Sequence, residues 1–277
     1  MNFLTLCTIV ASGLYLWSGI NILRSMREGT EAPSWLRWPV IIGVILQALA
    51  LHAEMFRGEK IFIGFGYVAA EVCFLAILIF VIETWIHRLH AQFGIMLVIL
   101  SVAALLPLLF PGTDLSKMAT DMTHFSLLFR LHLLVAIAAY SFLFIAFIQA
   151  VLLTLLNRQL KAPMGQESEN RFLNSLPGLV VMERIFFRIV SVGFAFITLT
   201  LIIGAFATQE HYHVWVHFDH KTILTWLAWI VFGILLLGRT IAGWRAKKAL
   251  GWFWAGFAIF VLAYFGYSMV IELFQLR

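Results

Sequence analysis

Eight apolar stretches, most of them wide enough to cross a bilayer, recur along this 277-residue chain, and they constrain the fold more than any motif does. A helix of about 20 apolar residues crosses the hydrocarbon core of a membrane. The stretches are Phe3 to Leu23, Pro39 to Ala53, Ile61 to Ile86, Phe93 to Phe110, Leu127 to Leu156, Phe186 to Thr208, Thr222 to Gly238 and Trp252 to Ile271. Backbone in lipid must satisfy its own hydrogen bonds, so continuous apolar runs of this length are helices. The expected fold is an all-α integral membrane protein, a polytopic bundle of eight transmembrane helices forming a single domain over residues 1–277. The longest connection, Asn157 to Ile185, leaves no room for a separate soluble domain. Pro107, Pro111, Pro163 and Pro177 are expected to mark span ends and loops rather than hinges.

A chain that is 62% hydrophobic and 12% charged cannot cover itself with a water-facing surface. Soluble domains carry roughly 25% charged residues. A soluble enzyme, a disordered tail and a nucleic-acid binder are all excluded. The 26 Phe and 10 Trp suit a lipid-facing protein with interfacial anchors. The excess of basic residues is explained by sidedness. With the loops after spans one, three, five and seven in the cytoplasm, 13 of the 19 Lys and Arg fall inside: Arg24, Arg27, Arg37, Arg88, Arg158, Lys161, Arg171, Arg184, Arg188, Arg239, Arg245, Lys247 and Lys248. Arg57, Lys60, Lys117, Arg130, Lys221 and Arg277 remain outside, so both termini are expected outside. The first span has no basic residue before it and Arg24 and Arg27 after it, the reverse of a signal peptide, which marks an uncleaved span.

Polar side chains are scarce enough that those at membrane depth become candidates for function. Cys7 and Cys73 stand alone in apolar runs, without a CxxC or CxxCH pattern, and are expected as small buried hydrophobes. Of nine histidines, only His87 and His90 fall inside; His52, His124, His132, His211, His213, His217 and His220 gather at the outer face. Neutral imidazole is a common metal ligand and the usual axial ligand of haem iron. His132 stands first, on an apolar helix with Ala136 and Ala139 along the same side. A stripe of small residues beside a histidine admits either a neighbouring helix, with an interhelical hydrogen bond, or a flat ring. In Gln209 to His220, the spacing of His213, His217 and His220 would align them on one face of a short helix, with Tyr212, Trp215 and Phe218 between them. That arrangement reads as a divalent-metal site, an aromatic shelf at headgroup level, or an amphipathic segment facing water. Arg130 and Lys221 adjoin these histidines and read as partners for the propionates of a tetrapyrrole or as snorkelling cations. Glu71, mid-span, would cost about 3 kcal/mol if charged against lipid, and is expected protonated or paired inside the bundle, with Glu83 nearer the cytoplasmic end.

Three stretches resemble the cytochrome c assembly family of haem-handling membrane proteins. The helix His132 to Tyr140 is similar to the one that opens with the family's first external haem-ligand histidine. Gly204-Ala205 through Asp219, with Lys221, Trp229, Phe232 and Arg239, keeps the spacing of the tryptophan-rich haem-binding segment and its following helix. Gly243 to Lys248 and Ala263 to Gly266 resemble the last loop and last helix. The resemblance covers about the second half of the chain, from residue 127 on. Tyr212, Val216 and Phe218 replace family tryptophans, His220 stands where Pro is usual, and the terminal Glu272 to Arg277 lacks the second external histidine. The pattern looks more like the YpjD and HemX branch than a cytochrome c synthetase.

The resemblance implies a haem-binding protein of the bacterial inner membrane that handles haem or supports cytochrome c-type biogenesis. Haem b would be held non-covalently, with His132 as one axial ligand and His220 or His52 as the other. Trp215, Phe218 and Tyr212 would form the shelf, Asp219 is retained from the haem-binding segment, and Arg130 and Lys221 would meet the propionates. Implied partners are haem, membrane lipid and haem-pathway or biogenesis proteins, with no nucleic acid. No nucleophile–base pair is visible, so the protein is expected not to be an enzyme, short of a haem-lyase-like assembly activity. The rival expectation is a divalent-metal or ion-transport accessory protein using the outer histidine loop and Glu71.

Overall fold

The computed structural model describes residues 3–57, 60–86, 91–110, 113–114, 126–159, 176, 178–216 and 218–263. Expectations placed on His87, His90, His124, His217 and residues 264–277 lie outside the described residues, as do the side chains of Glu83, His211 and Tyr212. The chain divides into two compact units, Met1–Met118 with Leu155–Leu179, and Ala119–Thr154 with Val180–Arg277.

The first unit is built on α1 (Phe3–Arg27), which packs against α2 (Arg37–Met55) and α4 (Ala91–Ala103). A single 3-10 turn, Ser34–Leu36, precedes α2. Between α2 and α3 (Phe65–Ile86) run β1 (Phe56–Arg57) and β2 (Lys60–Ile63), antiparallel and continued by β3 (Thr113–Asp114), with Phe56 opposite Ile61 and Phe62 opposite Asp114. Lipid offers no hydrophobic drive between helices, so close packing and polar contacts hold them together. Tyr15 donates to Gln47 at 2.9 Å and Gln47 donates to the Ala70 carbonyl at 3.2 Å, joining α1, α2 and α3. The Ser12 hydroxyl donates to the Ser101 carbonyl at 2.7 Å, joining α1 to α4. Cys7 and Cys73 are buried free thiols, as expected, and Glu71 is half-buried.

The fourth apolar run is two pieces, α4 and the short α5 (Leu106–Leu109), not one rod. Pro107 has no N–H for the Ala103 carbonyl, and the chain turns at Ala104 and Leu105, where Leu105 N–H bonds to the Val102 carbonyl at 3.1 Å. Pro107 thus lies two residues from the end of the span 92–109, where a mark of a span end was expected.

The second unit takes in α6 (Leu127–Gln159) as far as Thr154, α7 (Leu179–Tyr212) from Val180, α8 (His220–Thr240) and α9 (Ala246–Val261). The first two are antiparallel: Phe142 stacks on Phe196 at 5.3 Å, and Gln149 donates to the Met182 carbonyl at 3.2 Å. Trp229 on α8 stacks on Phe194 and donates from Nε1 to Thr198 Oγ1 at 2.9 Å. Tyr140 and Phe232 both meet Phe260 of α9, at 4.1 and 6.4 Å between centroids. The turn from α8 to α9 places Gly243 at φ +61°, which a glycine adopts without strain. There the Trp244 indole lies against Gly238, and Arg239 Nη1 donates to Glu183 Oε1 at 2.8 Å and to the Trp244 carbonyl at 3.0 Å.

Seven described segments are long and apolar enough to cross a membrane: 3–27, 34–54, 65–82, 92–109, 127–159, 179–210 and 220–240. The eighth expected span, Trp252 to Ile271, is helical within Ala246–Val261 and then leaves the described residues. At 33 and 34 residues, α6 and α7 are each about 50 Å long and extend beyond a hydrocarbon core of about 30 Å.

Candidate functional site

Along α7, no charged residue occurs between Arg188 and Glu210, and the apolar part ends at Gln209. At 1.5 Å per residue, Gly204 lies about 7 Å inside that end. His132 follows Arg130 by two residues at the start of α6 and packs on this part of α7. Its Nδ1 lies 3.1 Å from the Thr200 carbonyl oxygen. A carbonyl can only accept, so the proton of this bond belongs to Nδ1, and the ring's lone pair is left on Nε2. Gly204 makes the approach possible: a β-carbon there would stand 2.9 Å from His132 Cε1 and 3.0 Å from Nδ1. Thr200 Oγ1 is turned to the Phe196 carbonyl at 2.8 Å, so the contact with the ring is made by backbone.

The interhelical hydrogen bond, offered above as one reading of His132, is therefore present. It consumes only one ring nitrogen. The ring is half-buried, with Leu131 and Leu134 exposed beside it.

The segment after α7 departs from expectation. His213 and His220 do not share a short helix, because α7 runs on to Tyr212 and His213 then takes φ 57°, a left-handed conformation that ends it. The next helix starts at His220, where Asp219, extended at φ −106° and ψ 170°, accepts from Thr222 N–H at 2.7 Å as an N-cap. Between them Trp215 folds back edge-on to Phe206, with ring centroids 5.6 Å apart. Trp215 and Phe218 are exposed, 58% and 80%. Among the described residues, no three His, Cys, Asp or Glu side chains converge as metal ligands.

The structure thus joins His132 to Thr200 and Gly204, Trp215 to Phe206, and Asp219 to Thr222. Arg130 is exposed on α6; His220 is exposed and Lys221 half-buried in the first turn of α8. His52 is exposed in the last turn of α2, in the first unit. Thr200 and the role of Gly204 escaped the sequence reading. The available signal was a pair of glycines, Gly193 and Gly204, eleven residues or about three turns apart on one face of an apolar helix. Of these residues His132 offers a donor of the kind an iron tetrapyrrole takes, an unprotonated imidazole nitrogen.

The fold defines a class, the helical multi-pass membrane protein. More narrowly, the chain belongs to the cytochrome C assembly protein family, which it matches over residues 42–275. It is similar to the inner membrane protein YpjD of Escherichia coli K12, with 32% identity over 142 residues covering 51% of each chain. It also resembles the cytochrome c biogenesis protein CcsA of Citrus sinensis, 30% identical over 112 residues, covering 38% of this chain and 35% of that one. CcsA of Chlamydomonas reinhardtii is 28% identical over 142 residues, covering 51% and 38%. The chain thus spans about half the length of YpjD and less of CcsA. No solved structure matches it.

Proposed function

We propose that this protein binds haem b non-covalently at the outer face of a bacterial inner membrane and serves haem handling in cytochrome c-type biogenesis. The observation that carries the reading is the His132 Nδ1 bond to the Thr200 carbonyl, which leaves Nε2 as a Lewis base near the membrane boundary. Family membership and similarity to CcsA and YpjD support it. In this reading the chain has eight spans with both termini outside and acts as a single transmembrane domain. Nε2 of His132 would hold the haem iron, with His220 or His52 as the second ligand. Trp215 and Phe218, with Tyr212, offer apolar faces, and Arg130 and Lys221 neutralise propionates. Asp219 acts through position: its cap fixes the start of α8, and with it His220 and Lys221. Bound haem would supply the iron tetrapyrrole that a c-type cytochrome needs. The protein's own part is to hold it and exclude water, without a protein nucleophile.

The test is the visible spectrum of the full chain purified in mild detergent, with and without added haem, for wild type and His132→Ala. A Soret band in wild type that is lost in the variant is the expected result. A colourless protein that refuses haem, yet retains zinc or cobalt on the 209–220 loop, would sink the reading and leave the metal-accessory alternative.

A further inference from the structure

Two glycines set the face on which α7 meets α6. A β-carbon at Gly193 would stand 2.9 Å from Leu143 Cδ2, and one at Gly204 would stand 2.9 Å from His132 Cε1. The residue pairs are eleven apart on both helices, so the antiparallel register that seats Leu143 on Gly193 also seats His132 on Gly204. Leu143 is fully buried, whereas the His132 ring is only half-buried, and its nitrogen bonds to backbone rather than to a side chain. The first glycine therefore serves packing alone, and the second brings an imidazole within reach of a carbonyl.

We infer that Gly204 is a positioning residue: by lacking a side chain, it lets the His132 ring lie on the turn of α7, where the Thr200 carbonyl holds the proton on Nδ1 and leaves the lone pair on Nε2. The inference rests on the proposal above that His132 ligates iron, but it concerns the ring in the apo protein. With a β-carbon at 204, the ring must withdraw. The Nδ1 contact is already 3.1 Å, so a shift of a few tenths of an ångström takes it to the limit of a hydrogen bond. The imidazole then loses the partner that selects its tautomer. A hydrogen bond at the second nitrogen orients a metal-ligating histidine and raises its basicity, and losing such a partner typically weakens metal affinity about 10–100-fold.

The experiment uses the full chain in detergent, with nitrogen-15 histidine, as wild type, Gly204→Ala and His132→Ala. Nitrogen NMR of the apo protein at mildly alkaline pH, assigned by loss of signals in His132→Ala, should show His132 as the single Nδ1–H tautomer in wild type. In Gly204→Ala it should show a mixture, together with haem affinity reduced about 10–100-fold. Wild-type tautomer and wild-type haem affinity in a monodisperse Gly204→Ala protein would overturn the inference. Should Gly204→Ala not fold, an Nε2–H tautomer for His132 in wild type overturns it equally. Haem binding undiminished in His132→Ala would instead remove the underlying reading, while the NMR result still decides the role of Gly204.

Discussion

Gly238 and Trp244 offer a test of the packing with an unusual signature, a reversal of sign. Gly238 is the third-last residue of α8, and the Trp244 ring occupies the space its side chain would take. The Trp244 N–H bonds to the Gly238 carbonyl at 3.0 Å, and its own carbonyl accepts from Arg239. The same indole stacks on Trp252 at 5.7 Å and carries the Lys248 ammonium 4.3 Å above its ring. Gly238→Ala in wild type must displace this ring. Overpacking of this kind costs about 1–3 kcal/mol, and each strained hydrogen bond about 1 kcal/mol more. Against this stands the better helix propensity of alanine, about 1 kcal/mol. The net expectation is a loss of about 1–3 kcal/mol.

In a Trp244→Ala background the obstacle is gone and only the propensity gain remains, so the same substitution should be neutral or stabilise by up to about 1 kcal/mol. The coupling between the two sites is then about 1–4 kcal/mol, above the few tenths within which independent sites add. Heating each of the four proteins in detergent and measuring the monodisperse fraction by size exclusion gives the apparent midpoints. At about 2–4 °C per kcal/mol, the single glycine variant should melt clearly below wild type, and the double variant no lower than Trp244→Ala. Equal damage in both backgrounds would refute the steric explanation, as would a harmless Gly238→Ala in wild type.

Three further expectations follow from the same geometry. Asp219→Ala should cost about 1 kcal/mol of stability through loss of the cap, while Asp219→Ser should retain most of it; equal losses in a melting series would show that the carboxylate does more than cap. In the Glu183–Arg239 pair the guanidinium also lies 4.7 Å over Phe187, but the arginine side chain is 39% exposed. Its coupling with Glu183 in a four-variant cycle should therefore be about 1 kcal/mol or less, and a value of several kcal/mol would contradict that screening. Cysteines introduced as Glu28→Cys and Val214→Cys, both exposed positions, should react with an impermeant maleimide from opposite faces of the membrane, with native Cys7 and Cys73 buried and silent; labelling from one side would overturn the assigned orientation.

How far the fold was legible in the sequence differs from element to element. Apolar runs report spans because the lipid acts on every residue of a segment at once, and seven of the expected eight coincide with described helices. The ends were less legible. The sixth apolar run is bounded at Phe186 and Thr208, yet α7 continues past both, since a helix leaving the bilayer keeps its backbone bonds in water. The aligned histidine helix failed for a related reason. Spacing of three and four residues aligns side chains only if the backbone is already helical, and the left-handed His213 together with the Asp219 cap places a break between the two helices.

The histidine itself was easy to find, because imidazole is rare at membrane depth and its chemistry travels with the residue name. Its partner was not, because the acceptor is a carbonyl that every residue possesses, made reachable by a side chain that is absent. Thr200 contributes no side-chain atom to the bond, so a substitution there that preserves the helix leaves the acceptor in place. Gly204 contributes only room. A side chain whose orientation is set this way depends on the register of two helices rather than on a second polar residue. Register is in turn held by contacts far from the site, such as Leu143 on Gly193 and Phe142 on Phe196. Changes at those apolar positions should therefore reach the imidazole through helix displacement, without altering any group that could touch a ligand.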